Sequence, residues 1–352
     1  MTDFQTLSRT VTEYNSRTYT ERVALRDIEM VDNRHISLRG EVITLSKTAL
    51  SQLFSILGIS QKFSDRLWNM DRELWDKVTT RLKQSNVSII LNIYIEDDGT
   101  GHKESILRAF TTTRNDVSDA FVLDSFEKIL ETSDVNFQGE FQPSTGTIVG
   151  LFIRKDKIDI TDKGIEIFKP GAAITTSSLG LESSVIREYL YREVCSNGSM
   201  AQNNTRTRRI LRRDFMKDDI VEKAKSIINM DSTKDYYKDA ITNMQKVNAS
   251  VSEMLTASRY LNFLKTSNKT LYEELFPIED LETRYGTKFA TKSEKWLGTA
   301  DSLVNYYDMF NTVTYHATHS DISPVERKNI QIYAGSLLTR TPDLLDRAPS
   351  LN

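Results

Sequence analysis

The stretch "VSIILNIYIEDDGTGHKESILRAFTTT", residues 87–113, decides the fold class because its apolar residues recur with a period of two. One face of its first run is aliphatic and consists of Val87, Ile89, Leu91, Ile93 and Ile95. Residues 97–101 are polar and contain two glycines, and a second run returns through Ile106 and Ala109 or Phe110. Two alternating runs around a glycine-containing loop predict an antiparallel β-hairpin.

The signals of a helix and of two further hairpins follow this stretch. Asp116 is expected to cap a helix over "VSDAFVLDSFEKILE", residues 117–131. Its predicted buried stripe consists of Phe121, Val122, Phe126, Ile129 and Leu130. The turn sequences "PSTG" at 143–146 and "TDKG" at 161–164 each separate two short β-like runs. Strands, a helix and more strands predict an α+β fold with one central antiparallel sheet of hairpins over residues 86–182.

Residues 1–85 form the first predicted region of the chain. Residues 1–44 are rich in Thr and Arg, and we expect strands and loops there. Residues 45–85 instead carry apolar side chains at helical spacing, with a stop at Gly58. The two stripes are Leu50, Phe54 and Leu57, and then Trp68, Leu74, Trp75, Val78 and Leu82. This pattern predicts a helical hairpin packed beside the sheet.

Residues 183–340 form a third predicted region, which begins with a basic segment and is mostly helical. Its apolar stripes are Ile220, Ala224, Ile227 and Ile228, then Met244, Val247, Val251, Met254 and Leu261, and then Trp296, Ala300, Leu303, Tyr307, Phe310, Thr314 and Ala317. The second stripe has heptad-like spacing and predicts one helix over 241–264. Ser323, Pro324 and Glu326 predict the start of a last helix that reaches Leu338. We expect residues 341–352 to form a flexible tail.

Composition limits the class of protein. Of the 352 residues, 39% are hydrophobic and 27% are charged, as in soluble globular proteins. The chain has no run of about 18 apolar residues and starts with polar residues, so we expect no membrane contact, no secretory signal and a location in a cytoplasm. The single cysteine, Cys195, excludes an internal disulfide framework and a cysteine-rich zinc module.

The densest charge in the sequence lies in residues 206–217, "RTRRILRRDFMK". This basic segment holds six Lys or Arg and one Asp, so it carries +5 while the net charge of the whole chain is -3. Its cations are Arg206, Arg208, Arg209, Arg212, Arg213 and Lys217. Such local asymmetry suits the binding of a polyanion at one place on an otherwise acidic surface. The alternative is that these side chains form a solvated face or pair with acidic neighbours.

The residue types of the basic segment favour a sugar-phosphate backbone as the ligand. Five of the six cations are arginines, whose guanidinium groups bind phosphate bidentately and also stack on bases. Tyr189 and Tyr191 lie just upstream, where aromatic rings could stack on unpaired bases. Both tyrosines are equally suited to the boundary of a core. The sequence therefore predicts a nucleic-acid site, with single-stranded DNA favoured.

Enzyme signatures are absent from the sequence. It has no Walker loop, no dinucleotide-binding glycine motif, no His-Glu-x-x-His motif and no nucleophile elbow. His316 and His319 are three residues apart, with Asp321 nearby, and are the only candidates for a metal site. A helix C-terminus, where imidazoles meet the last carbonyls, explains the same spacing. We expect no enzymatic activity, no cofactor and no metal.

Two segments of the chain resemble a known family. The stretch "VCSNGSM" at 194–200, followed by the basic segment and a helix, is similar to a motif of the phage/plasmid-like protein family, which is defined by a domain of unknown function. The segment "DSLVNYYDMFNTVTYHATHS" at 301–320 resembles a later motif of that family, with Thr312 where Ala is common. The resemblance spans roughly residues 85–340. It implies a phage or plasmid setting, and with it the cytoplasm of the infected or host bacterium, and it raises the expectation of a role in DNA metabolism.

Two functional hypotheses follow from the sequence and the resemblance. The first is a phage-encoded, non-enzymatic, sequence-tolerant single-stranded DNA-binding protein that acts in replication, recombination or transcription. The second is a host-takeover or structural factor in which the basic segment and the helix over 241–264 dock onto a phage or host protein, or onto a second copy in a homo-oligomer. The first requires exposed arginines side by side, whereas the second requires an apolar surface near them.

Overall fold

A computed structural model describes residues 1–111, 118–159, 167–181, 183–192, 197–200, 207–209, 217–229, 233–250, 253, 257, 301–319, 322 and 324–339. The predicted α+β class is confirmed, because the described chain combines runs of helices with sheets whose strands are almost all antiparallel. The prediction of a single central sheet is wrong, because the described strands form two larger sheets instead.

The first sheet combines the predicted hairpin with strands from the N-terminal region. Its order is β1-β5-β6-β4-β3-β2, and every pair is antiparallel except β4 with β6. The strands are β1 (Thr18–Ala24), β2 (Ile28–Met30), β3 (His35–Leu38), β4 (Glu41–Leu45), β5 (Ser88–Asp97) and β6 (Lys103–Thr111). Since β1 and β4 occupy the outer edges of the β5–β6 hairpin, no edge of it remains for the hairpins downstream. The sheet thus crosses the expected boundary at residue 85.

A β-bulge interrupts the β5–β6 hairpin, which is otherwise as predicted. Asn92 pairs with Ala109 and Ile93 pairs with Leu107, so Arg108 is the extra residue on β6. A bulge leaves one residue out of the ladder and changes the direction of its side chain. This feature places a charged residue within an apolar strand.

Three helices, rather than the predicted pair, pack on the first sheet between residues 45 and 85. They are α2 (Lys47–Ile56), α3 (Gln61–Met70) and α4 (Arg72–Thr79). Each helix begins after a capping side chain that accepts a backbone N–H from three residues later: Ser46, Ser60 and Asp71. Leu53, Phe54 and Trp75 are buried with the sheet residues Leu91 and Leu107 in one core cluster. Asp71 splits the predicted second helix, because it both ends α3 and caps α4.

The N-terminus contains a helix that the sequence analysis missed. Residues 1–44 were expected to form strands and loops, yet α1 (Phe4–Ser16) precedes β1. Asp3 caps α1 by accepting the backbone N–H of Thr6 at 2.8 Å. Leu7 and Val11, four residues apart, are buried against the second sheet. The apolar stripe of α1 is narrow, and its partner surface lies more than 100 residues downstream.

The second sheet is antiparallel throughout and contains the other two predicted hairpins. A path of five strands runs β12-β11-β10-β8-β7, while β9 pairs with β10 and β13 pairs with β11. The strands are β7 (Val135–Gln142), β8 (Thr147–Arg154), β9 (Ile158–Asp159), β10 (Ile167–Ser177), β11 (Val185–Arg192), β12 (Asn197–Met200) and β13 (Thr207–Arg209). The turn at 143–146 joins β7 to β8 as predicted. β9 pairs with β10, whereas the predicted turn at 161–164 lies outside the described residues.

Helices cover one face of the second sheet. The predicted helix α5 (Asp119–Thr132) is confirmed, but its cap is Ser118, and Asp116 lies outside the described residues. Together with α1 and α6 (Lys217–Ile228), it buries Phe126, Phe152 and Ile186 in one cluster.

The C-terminal helices form a further cluster that the sequence predicted only in part. They are α7 (Thr233–Met244), α8 (Tyr306–His319) and α9 (Pro324–Thr339). The helix predicted over 241–264 is wrong, because α7 ends at Met244 and β14 (Asn248–Ser250) follows, paired with β15 (Asp301–Asn305). Leu303 therefore lies in a strand rather than in the helix of Tyr307 and Phe310. Val251, Met254, Leu261, Trp296, Ala300, Ser323 and the tail 341–352 lie outside the described residues.

The described helices are unsuited to crossing a bilayer. None of those in the described part of the chain combines the length and apolarity that a membrane span requires.

Candidate functional sites

The described part of the basic segment lies along one edge of β11. β13 pairs with the start of β11, with Arg208 opposite Ile186 and Arg209 opposite Val185. β12 pairs with the end of β11 along the same edge, where Met200 is opposite Tyr189. On β11, the residues paired with β13 and those paired with β12 are separated by Glu188 alone. Along the chain, β12 and β13 are separated by the six residues 201–206. The cations therefore begin at an edge of the second sheet.

Both described ends of the basic segment are fixed to the same sheet. Arg208 and Arg209 are backbone positions of β13, and Lys217 is the first residue of α6. Ile220 and Ala224 of α6 pack in the cluster that contains Ile186, the register partner of Arg208. The remaining cations, Arg206, Arg212 and Arg213, and the side chains of Arg208, Arg209 and Lys217 lie outside the described part.

The two predicted stacking residues differ in their environment. Tyr189 is only 2% exposed and packs with Val149, Leu151 and Met200. Burial raises the pKa of its hydroxyl above the ordinary value of 10.0. Tyr191 is half-buried at the margin of the same cluster. The structure thus places Tyr189 in the core, the alternative that the sequence left open, and leaves part of Tyr191 accessible.

The metal candidates fall largely outside what the structure describes. His316 and His319 both belong to α8, which ends at His319, but their side chains are outside the described part, as is Asp321. Cys195 is outside as well. Among the described residues, no group of three or more His, Cys, Asp or Glu could hold a metal ion.

A polar cavity of about 220 Å³ lies between the two sheets. Thr20, Asn92 and Arg108 of the first sheet line one side. The opposite side is formed by Asn15 at the end of α1, by the first residues of α5 including Asp119, and by the residues that follow β10. Strands β1, β5 and β6 are in register here, since Thr20 pairs with Asn92 and Asn92 pairs with Ala109. Pockets at such junctions with converging polar groups are typical of ligand sites.

Arg108 is the buried cation of this cavity. The residue is 4% exposed, and its Nη2 donates a hydrogen bond to the Pro143 carbonyl at 2.5 Å. The guanidinium carbon lies 4.6 Å from the centre of the Tyr14 ring, which stacks on Tyr94 at 4.4 Å. The Nε–H is buried and has no hydrogen-bond partner among the described residues. Burial lowers the pKa of the guanidinium from its ordinary value, while the nearby Tyr14, Asp119 and Tyr94 act in the opposite direction.

Asp119 faces the cavity from the start of α5. The residue is 5% exposed, and its Oδ2 accepts a hydrogen bond from Asn15 Nδ2 at 2.9 Å. Burial raises the pKa of its carboxyl, although hydrogen bonds from Asn15 and Ser178 and the charge of Arg108 act in the opposite direction. Within the described residues, no ion pair of 4.0 Å or less joins Arg108 to Asp119. Buried groups with such perturbed pKa values mark candidate functional sites.

The sequence alone assigns no role to the residues of this cavity. The signal was an arginine inside the apolar run "ILRAF" at 106–110, where alternation alone marks a strand but does not show what the arginine faces. Asp119 carried an equally weak signal, because an acidic residue in the first turn of a helix is common. Pro143, which bonds to Arg108, follows it by 35 residues, and Asn15, which bonds to Asp119, precedes it by 104 residues. Only the fold brings these partners together.

Comparison of the chain with family models, curated proteins and solved structures gives no match. The resemblance to the phage/plasmid-like protein family therefore stays a prediction.

Proposed function

We propose that this chain is a non-enzymatic, sequence-tolerant single-stranded DNA-binding protein whose contact surface is the basic segment, residues 206–217. The observation that carries the proposal is the charge of +5 within twelve residues, in a chain of net charge -3. The register of β13 supports it, because β13 is an edge strand among the described strands of the second sheet, and an edge leaves one side of a strand open to a ligand. The resemblance noted above supports a phage setting and a role in replication, recombination or transcription.

The chemistry of the segment fits a flexible phosphate backbone better than a duplex groove. Arginine forks bind phosphate oxygens without reading sequence, and they also stack on unpaired bases. Tyr191 is the tyrosine we assign to base stacking, since Tyr189 is buried. The anchored ends of the segment, at β11 and α6, would hold its cations near one another and so reduce the ordering cost of binding.

The test compares two variants of equal charge change. The first changes Arg208, Arg209, Arg212 and Arg213 to Ala. The control changes four exposed cations of the first sheet region to Ala: Arg26, Lys77, Lys83 and Lys103, whose side chains are 60%, 69%, 55% and 66% exposed. Binding of a fluorescent single strand of about 40 nucleotides and of its duplex is measured by anisotropy across a salt series.

We expect wild type and control to bind the single strand more tightly than the duplex, with affinity that falls as salt rises. Each lost phosphate contact lowers the salt slope by about 0.7, so the arginine variant should lose up to about three units of slope. The proposal would be contradicted if the arginine variant and the control lost the same amount of affinity and salt slope. It would also be contradicted if wild type bound neither DNA form above the non-specific level at moderate salt.

The alternative, a factor that docks onto a phage or host protein, has lost one of its two supports. The helix over 241–264 is not continuous, because α7 ends at Met244. The basic segment alone remains as its docking surface. If the protein binds neither DNA form, pull-down with wild type and the arginine variant becomes the deciding measurement, and a partner lost only in the arginine variant would establish this alternative.

A further inference from the structure

Arg108 presents an electrostatic problem that the described contacts leave unsolved. Fully buried arginines are rare unless they are paired with an acidic group, because the loss of hydration is costly. Arg108 has a carbonyl partner in Pro143 and an aromatic partner in Tyr14, and both are neutral. Its Nε–H has no acceptor, and the carboxylate of Asp119 is beyond ion-pair distance, within the part of the chain that is described.

The surroundings of Arg108 supply further donors. Asn92 is 8% exposed, and its only side-chain bond to a described residue is a long one of 3.5 Å from Nδ2 to the Ala109 carbonyl. Thr20 and Thr111 add hydroxyl groups to the same walls. The N-terminus of α5, a helix of 14 residues capped by Ser118, lies on the opposite side, and such helix ends favour anions. The β-bulge that directs Arg108 into this space is a feature often found beside functional sites.

We propose that the cavity between the two sheets binds a small oxyanion of the carboxylate or phosphate class, held by Arg108. The anion contacts the guanidinium group that lines the cavity and accepts a hydrogen bond from the Asn92 amide, and it adds negative charge beside a cation that has no ion pair within the described residues. Asp119 also lines the cavity, and burial raises the pKa of its carboxyl, so it ionises less readily than an exposed aspartate.

The size of the cavity limits the ligand. A volume of about 220 Å³ accommodates a phosphate ion or a small mono- or dicarboxylate. The walls come from both sheets and from α1 and α5, and none of the described lining residues belongs to the basic segment. The site is therefore distinct from the basic segment and independent of the proposed DNA binding.

The test uses the full chain with inorganic phosphate and, separately, with malonate. Isothermal titration and thermal unfolding are measured at constant ionic strength, with sodium chloride as the reference salt. We expect saturable heat and a rise in the unfolding temperature for wild type with at least one of the two anions. Absence of both effects with both anions would overturn the proposal without any variant.

Three variants locate the site. Arg108→Gln removes the cation and should weaken anion binding about tenfold or more. Asn92→Asp keeps Arg108 but places a competing carboxylate in the cavity, so it should abolish anion binding even if Arg108→Gln fails to fold. Arg154→Gln is the matched control, because Arg154 is also largely buried but already pairs with Asp156 at 2.6 Å. If Arg154→Gln weakened anion binding as much as Asn92→Asp does, the assignment of the anion site to this cavity would be refuted.

A last arm separates the two sources of phosphate. The titration with inorganic phosphate is repeated in the presence of saturating single-stranded oligonucleotide. Unchanged affinity for phosphate supports a separate small-anion site. Complete competition would show that the bound anion is a phosphodiester of the nucleic acid, and it would overturn the claim of an independent site.

Discussion

At Asp119, the environment of one carboxyl group predicts how stability depends on pH. Burial raises its pKa above the ordinary value of 3.8, so the folded state holds the proton more tightly than the unfolded chain does. The stability that this group contributes is fully present below pH 3.8 and is lost as pH rises through the raised pKa. Asp119→Asn keeps the shape of the side chain but does not titrate. We therefore expect the variant to gain in unfolding free energy relative to wild type as pH rises, measured by urea unfolding at a series of pH values.

Asp98 provides a control of opposite sign. Hydrogen bonds from the hydroxyl and the backbone N–H of Thr100 lower the pKa of its carboxyl. Its stabilising contribution is present above pH 3.8 and is lost as pH falls through the lowered pKa. Asp98→Asn should therefore lose stability relative to wild type as pH rises. The expected trend for Asp98→Asn serves as the reference. If the unfolding free energy of Asp119→Asn relative to wild type stayed constant or fell as pH rose, the pKa of Asp119 would not be raised in the folded state.

The contrast between Leu91 and Arg108 shows what the sequence predicts at the residue scale. Leu91 is in an alternating run, and its burial follows from the period alone. Arg108 is in a similar run, but its environment depends on a bulge and on Pro143 and Tyr14, which no local pattern connects to it. The burial of Leu91 was therefore predictable, although Val87 of the same predicted face is 51% exposed, whereas the cavity was not predictable.

Between elements, the ion pair of Arg327 with Glu140 joins α9 to β7 across the second sheet. Arg327 Nη1 lies 2.6 Å from Glu140 Oε1, and its Nε donates to the Ala317 carbonyl of α8 at 3.0 Å. The two side chains are only 16% and 19% exposed. Arg327→Met should lower the unfolding free energy by about 2–4 kcal/mol, because it leaves Glu140 without its counterion in a largely desolvated site. Urea unfolding followed by circular dichroism measures the change.

An exposed ion pair gives the matched control for this substitution. Lys77 and Glu73 lie 2.6 Å apart on α4, but their side chains are 69% and 81% exposed. Lys77→Met should cost about 0.5 kcal/mol or less, since water screens such pairs. If the two substitutions had the same effect, α9 would not be held to the sheet by this contact.

The elements that the sequence predicted are those whose signals are local. The β5–β6 and β7–β8 hairpins have their turn residues between two alternating runs, and α5 has a cap and a stripe within 15 residues. The parallel pairing of β4 with β6 has no such signal, because about 60 residues separate the partners. For the same reason the sequence predicted one sheet instead of two. α7 ends early because residues 248–250 find a strand partner at 301–305, which the heptad-like spacing cannot anticipate.

At the scale of the whole molecule, α1 connects the two sheets. Leu7 and Val11 pack on the second sheet, yet the chain leaves α1 directly into β1 of the first sheet. The Arg17 carbonyl accepts the backbone N–H of Ile95 at 2.8 Å, and Asn15 bonds to Asp119 at 2.9 Å. Because α1 contacts both sheets, a loss of packing in the core of the second sheet should also destabilise the first sheet.

Leu7→Ala tests this coupling, because Leu7 is 2% exposed in the core of the second sheet. The substitution should cost about 2–5 kcal/mol. Trp68 and Trp75 both pack with the first sheet, so in a Trp296→Phe background their fluorescence reports that half of the molecule. We expect Leu7→Ala to lower the urea midpoint of this fluorescence as much as that of circular dichroism, whereas Val42→Ala, at a position 58% exposed on β4, should leave both unchanged. An unchanged fluorescence midpoint in Leu7→Ala would mean that the two sheets unfold independently.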